Sequence, residues 1–206
     1  MNIFSGLFNS RFHQILELIT SFFILNILFV LTCLPIITIF PATAALFGVV
    51  REWRRNKDYS AIFNNYFRYF KENFKTSFII GLIWSLLVIL LVLDFWLIQD
   101  INSFFRFILY PVFFFLGLLV VFTTPYLFPV MVHFNFNTIN VIKKSMLFSL
   151  HYLPTTLLLI LTVGLCIGLF VVFPISFLGV FSIGSYVIFT ICYRSFTKAT
   201  NKTENS

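Results

Sequence analysis

Long runs of apolar residues, nearly free of charge, constrain this chain more than any motif does. A bilayer core of ~30 Å is crossed by about 20 consecutive, mostly apolar helical residues. Five runs approach or reach that length: Ile19–Ile39, Ser77–Ile98, Phe104–Phe128, Pro154–Val172 and Ile175–Tyr193. Only Phe173 and Pro174 separate the last two. One helix of about 40 apolar residues would overshoot a bilayer, so a tight hairpin is expected there. Composition agrees, because 10% of the residues are charged, against about 25% in a water-soluble domain. The expectation is an all-α integral membrane protein, one multi-span domain over residues 1–206. Residues 1–18 would form a short leading segment, 19–98 the first two spans, and 99–206 the third to fifth spans with a tail.

The first run reads as a retained span. Arg11 is the sole cation ahead of it, and Glu17 opposes a basic leader. The small-residue pattern at Ala42–Ala44 lies well beyond the usual 15–30 residues of a cleaved signal. Orientation follows from the cations. The segment after the first span carries Arg51, Arg54, Arg55, Lys57, Arg68, Lys71 and Lys75; that after the third carries Lys143 and Lys144; the tail carries Arg194, Lys198 and Lys202. One side then holds 12 of the 14 Lys and Arg residues, leaving Arg11 and Arg106 with Glu17, Asp94 and Asp100. Positive segments stay cytoplasmic, which predicts the N-terminus outside and the C-terminus inside. The net charge of +7 is thus a membrane-flanking stripe. It has no domain of its own, which argues against nucleic acid as a partner.

Two of the cytoplasmic segments have helical periodicity. Phe63, Phe67, Phe70, Phe74 and Phe78 recur at steps of three and four, opposite Asn64, Asn65, Arg68, Lys71, Glu72 and Lys75. Ile139, Ile142, Met146, Leu150 and Leu153 repeat the design against Asn140, Lys143 and Lys144. Such helices lie in the interface, rings among acyl chains and cations near anionic head groups. Three uses stay open: an elbow into the next span, docking of a cytoplasmic partner, or lipid sensing.

Prolines punctuate both designs. Pro35 and Pro41 follow the first span, and Pro125 and Pro129 follow the third, which suggests a weak parallel duplication. Each proline removes a backbone donor and clashes with the carbonyl four residues back. In lipid the freed carbonyl needs another partner, and Thr38, Thr43, Thr123 and Thr124 offer hydroxyls. Pro41 also suits the first turn of a new helix that bends along the inner surface. The small run Ala42–Ala45 would let a second helix approach closely.

Reactive chemistry is sparse. Cys33, Cys166 and Cys192 are isolated in apolar runs, and His13, His133 and His151 lack metal-binding spacing. No cofactor or metal is expected, and no enzyme activity. His13 with Glu17, four apart, is the one sequence-near acid–base pair. Intramembrane carboxylates would point to an ion or substrate path, yet Asp94 and Glu17 fall near span ends. Within the spans, Asn26, Thr32, Ser85, Thr162 and Ser182 suit interhelical hydrogen bonds.

The segment from Leu18 to Trp84 resembles the signature region of the YesL-like bacterial membrane proteins. Asn26 is followed by Pro35, Thr38, Pro41, Ala42 and Ala45, then by Phe63, Phe67, Phe70 and Phe74. Members often carry Gly just before the second proline, where this chain has Phe40. The resemblance implies a multi-span protein of the bacterial cell membrane without an assigned activity. Relatives encoded near carbohydrate-uptake genes imply an accessory role in sugar import. Importer subunits or a second copy of the chain would be its partners besides the lipid bilayer. The alternative is a small solute transporter or channel acting as an oligomer. Pro35, Thr38, Pro41, Ala42 and Ala45 form the expected structural motif. Arg51, Trp53, Arg54, Arg55, Phe67 and Phe70 form the expected surface for a partner or lipid.

Overall fold

A computed structural model describes residues 3–56, 59, 61–97, 103–134 and 136–204. Lys57, Ile98 and Asp100 lie outside the described residues, and so do the side chains of Arg11, His13, Arg106 and Lys202. The elements are α1 (Ile3–Cys33), a 3-10 turn (Ile36–Thr38), α2 (Ile39–Asn56), α3 (Ile62–Leu97), α4 (Ser103–Phe134) and α5 (Thr138–His151). They continue with α6 (Leu153–Val172), a second 3-10 turn (Pro174–Leu178) and α7 (Val180–Glu204). Five segments are long and apolar enough to cross a membrane: Leu16–Cys33, Ile36–Asn56, Ile62–Leu97, Phe107–Phe134 and Leu153–Val172. The expected α6–α7 hairpin is present, with its turn at residues 174–178.

Five segments again have the length and apolarity of a span, with a different membership; α7 is not among them, although it packs in the bundle as a sixth long helix antiparallel to α1. Ile36–Asn56 takes the place expected for Ile175–Tyr193. The first span ends at Cys33 rather than Ile39. Pro35 is extended (φ −75°, ψ 119°), and Pro41 occupies the first turn of α2, where its missing donor opens no helical bond. Helix α2 does not lie along a surface. It turns back against α1, the Trp53 ring standing 5.0 Å from Phe22. More than half of it is buried, because Ala42, Ala44, Ala45 and Gly48 let neighbours approach its backbone.

The Phe-rich segment and the second span are one continuous helix, α3, rather than an elbow followed by a span. The four prolines also diverge. Pro35 stands outside any helix and Pro41 in the first turn of α2, while Pro125 and Pro129, four apart inside α4, open nearly one face. Helix α4 runs through the second pair to Phe134, so the two proline segments build different structures.

Pairing of the first and last helices places the two ends of the chain differently in the bundle from what five alternating spans lead one to expect. Phe22 packs on Tyr186 at 5.6 Å and Phe29 on Phe181 at 5.3 Å, so α1 and α7 are antiparallel. The N-terminal half of α1 therefore lies beside the C-terminal half of α7, and the two point to the same side. The sequence reading missed this because it took residues 39–56 as a surface helix and so lost one reversal of the chain.

Candidate functional site at the basic, aromatic end of the bundle

The last turn of α2 carries its cations where a helix C-terminus favours positive charge. Arg51 reaches across to α4 and donates from Nη1 to the Val132 carbonyl at 2.6 Å. That carbonyl is among the last four of α4, which have no partner within their own helix. Arg54 lies over the Tyr193 ring of α7, 5.8 Å from its centre, and its Nε is buried without a partner. Arg55 is exposed. On the neighbouring face Arg68 pairs with Glu52 at 3.2 Å, and Tyr69 donates to the same carboxylate at 3.1 Å. Arg68 is half exposed, so that pair stabilises by only about 0–1 kcal/mol.

His133, one residue before the end of α4, is ringed by Phe134, Phe196, Tyr193 and Phe189 at 4.5 to 6.4 Å. Its Nδ1 is buried with no partner. Tyr59 packs against Trp53 at 5.5 Å, and burial, with Tyr186 close by, raises the pKa of its hydroxyl. Arg51, Arg54, Arg55, Arg194 and Lys198, scattered in sequence, thus gather where α2, α4 and α7 end.

The expected surface residues divide. Arg54 and Arg55 belong to this end of the bundle, Arg51 joins it as an anchor, and Phe67 and Phe70 are half-buried. Trp53 is a correction: it is 1% exposed and held between Phe22 and Tyr59, so no partner reaches it. Phe67 and Phe70 belong to a ladder of rings along α3, with steps of 4.8 Å from Phe63 to Phe67 and 5.6 Å from Phe70 to Phe74. Its outer members, Phe63, Phe74 and Phe78, are exposed.

The proline motif is brought together as a structural unit. Thr38 Oγ1 donates to the Thr32 carbonyl at 2.5 Å and to the Pro35 carbonyl at 2.6 Å, bridging the break. Pro41, Ala42 and Ala45 are buried, while Pro35 is exposed. Tyr66 of α3 completes the unit, its hydroxyl 2.5 Å from Thr32 Oγ1 and 3.4 Å from the Ala42 carbonyl. The sequence reading missed Tyr66. Its signal was a hydroxyl one residue away from a phenylalanine stripe, at a step of four from buried Ile62.

Elsewhere the interior hydrogen bonds join helices. Asn26 donates to the Phe177 carbonyl and accepts from the Ser182 amide at 3.3 Å. Trp84 donates to Thr124 at 3.0 Å, and Tyr126 meets Thr156 at 3.1 Å. Ser85 and Thr162 do not join helices as expected: each donates to a carbonyl of its own helix. Thr123 and Thr124 bond the Leu119 and Val120 carbonyls, not that of Val121, the one Pro125 leaves open. Among the described residues no group of three potential metal ligands occurs, and the three cysteines are free.

Long apolar helices with exposed leucine and phenylalanine flanks, polar groups paired across helix contacts and cations collected at helix ends define a multi-pass membrane protein. The family model described as "Protein of unknown function, DUF624" matches residues 22–95, which frame the break, α2 and α3. The uncharacterized protein YesL of Bacillus subtilis (strain 168) is 32% identical over 184 residues, 88% of this chain and 86% of YesL. The uncharacterized protein YteU of the same organism is 33% identical over 159 residues, 75% of this chain and 71% of YteU. No solved structure matches. The chain belongs to the YesL-like family of uncharacterised membrane proteins.

Proposed function

We propose that the protein is a non-catalytic accessory or assembly component of a membrane complex in the bacterial cell membrane, associated with carbohydrate import. The observation that carries this reading is the division of labour among polar groups. Interior ones such as Asn26, Thr32, Tyr66, Trp84 and Tyr126 hold helices to one another, whereas Arg55 of α2 and Arg194 and Lys198 of α7 are exposed. A carrier needs polar groups free to exchange partners with a solute, and these interior groups are committed to the bundle. Exposed Arg55, beside Arg54 and Arg51, suits the acidic surface of a cytoplasmic partner, since complementary charge steers association and fixes register. The sugar-import assignment rests on the resemblance to YesL-like proteins and on their gene neighbourhood.

The test is a pull-down of the tagged protein from native membranes in mild detergent, with partners identified and quantified. Stoichiometric importer subunits, lost in the Arg54→Glu/Arg55→Glu variant, support the reading. Recovery of a homo-oligomer alone moves it to a small transporter, for which solute flux in liposomes is the next measurement.

A further inference from the structure

We infer that the cleft between the start of α6 and the end of α7 binds the phosphate of an anionic phospholipid. The cleft encloses about 280 Å³. Arg194 and Lys198 line it from α7, four residues apart and so on one face of the helix. Both are exposed, and among the described residues neither forms an ion pair. Thr155 and Ser195 meet across it, hydroxyl to hydroxyl, at 3.4 Å. No side chain caps the start of α6.

Two further observations select a lipid phosphate over a free anion. Leu158 and Ile191 give the cleft an apolar wall, which inorganic phosphate does not use but the carbons beside a phosphodiester do. The position is also interfacial. From Leu153 through Leu157, Leu158 and Leu161 the outer face of α6 is exposed and apolar, so the cations stand where a lipid-facing surface begins.

Helix α5, which leads into the cleft, has the same character. It buries Val141, Ser145 and Ser149, yet exposes Ile139, Met146, Leu147 and Leu150 together with Lys143 and Lys144. Apolar side chains and lysines facing outward together mark a helix lying at the head-group boundary. A phosphate held by Arg194 and Lys198 would let its acyl chains follow the exposed leucines of α6. Basic clefts between membrane helices recognise anionic head groups by this combination of charge and depth.

The test uses the full chain in neutral detergent, titrated with phosphatidylglycerol or with phosphatidylcholine of the same acyl chains. Thermal unfolding and native mass spectrometry are the readouts. Phosphatidylglycerol should bind and stabilise, and the Arg194→Gln/Lys198→Gln variant should bind it about tenfold or more weakly. Lys143→Gln/Lys144→Gln removes the same charge from α5, outside the cleft, and should weaken binding much less. Lys198→Gln alone should give an intermediate loss, which a misfolded protein would not. Equal binding of the two lipids, or equal losses in the two double variants, overturns the site. Stabilisation by inorganic phosphate as strong as that by phosphatidylglycerol overturns its assignment to lipid.

Discussion

Gly48 of α2 lies against Tyr69 of α3 so closely that a Cβ on Gly48 would stand 2.6 Å from the Tyr69 ring. The contact fixes the separation of α2 and α3, which pack extensively against each other, and it binds α2 into the interior. Gly48→Ala should therefore destabilise by about 1–3 kcal/mol, since the ring or the helix must move. Gly117, with nothing within 4 Å of its Cβ position, supplies the control. Thermal unfolding in detergent should show a clear fall in Tm for Gly48→Ala and little change for Gly117→Ala. Equal behaviour would mean that the α2–α3 contact is not this tight.

The antiparallel pairing of α1 and α7 makes a topological prediction. Reporters placed before α1 and after α7 should report the same side of the membrane. From the cations at the ends of α2 and α7, the expected side is the cytoplasm. Opposite signals from the two reporters would reject the pairing of Phe22 with Tyr186.

Tyr66→Phe removes the hydroxyl shared with Thr32 and directed at the Ala42 carbonyl. Thr32 keeps its bonds to the Leu28 and Phe29 carbonyls, so the loss should be about 1 kcal/mol rather than a collapse. Tyr69→Phe keeps the ring against Gly48 but loses the Glu52 bond, and its comparison with Gly48→Ala separates hydrogen bonding from packing. If Tyr66→Phe unfolds at the wild-type temperature, the hydroxyl does not hold the break together.

Arg51 and Arg55 should separate stability from association. Arg51→Gln removes a charge-assisted bond to the end of α4 and should cost about 1–2 kcal/mol in unfolding experiments. Arg55→Gln, at an exposed position, should change stability by less than about 0.5 kcal/mol while reducing partner recovery. A variant pair with the reverse pattern would place the docking charge at Arg51 instead.

Much of the fold was legible because membrane spans leave a strong signal. Apolar length gave the helices, and Phe173–Pro174 gave the α6–α7 hairpin. The break near Pro35 was legible too, since a missing donor has few remedies in lipid. The direction taken after it was not. Arg51 to Arg55 give α2 the look of a surface helix, while the face that decides its position is a run of alanines and one glycine. Periodicity identifies such a face but not the helix that will cover it.

The join inside α3 was hidden for a related reason: nothing between Phe74 and Ser77 marks where an amphipathic helix ends and a span begins. Among the interior polar groups, Asn26 and Thr32 were legible as bonding groups between elements, whereas the Ser182 hydroxyl turns to the Gly179 carbonyl and only its backbone amide meets Asn26. Ser85 and Thr162 were not distinguishable from them, because a hydroxyl on a helix can equally satisfy itself on the carbonyl three or four residues back. Arg51's carbonyl acceptor and the rings around His133 depend on distant segments meeting, which spacing does not encode.

The Asn26 carboxamide bonds a carbonyl 151 residues further along the chain. A ribosome adding roughly 5–20 residues per second takes roughly 8–30 s to deliver that partner. Throughout that interval α1 is made, but its buried amide has no native acceptor. The first helices must therefore wait in the company of the insertion machinery or a borrowed partner. The turn before α7 supplies the acceptor and α7 itself the Ser182 donor, so the polar core of α1 is completed only by the last part of the chain to be made.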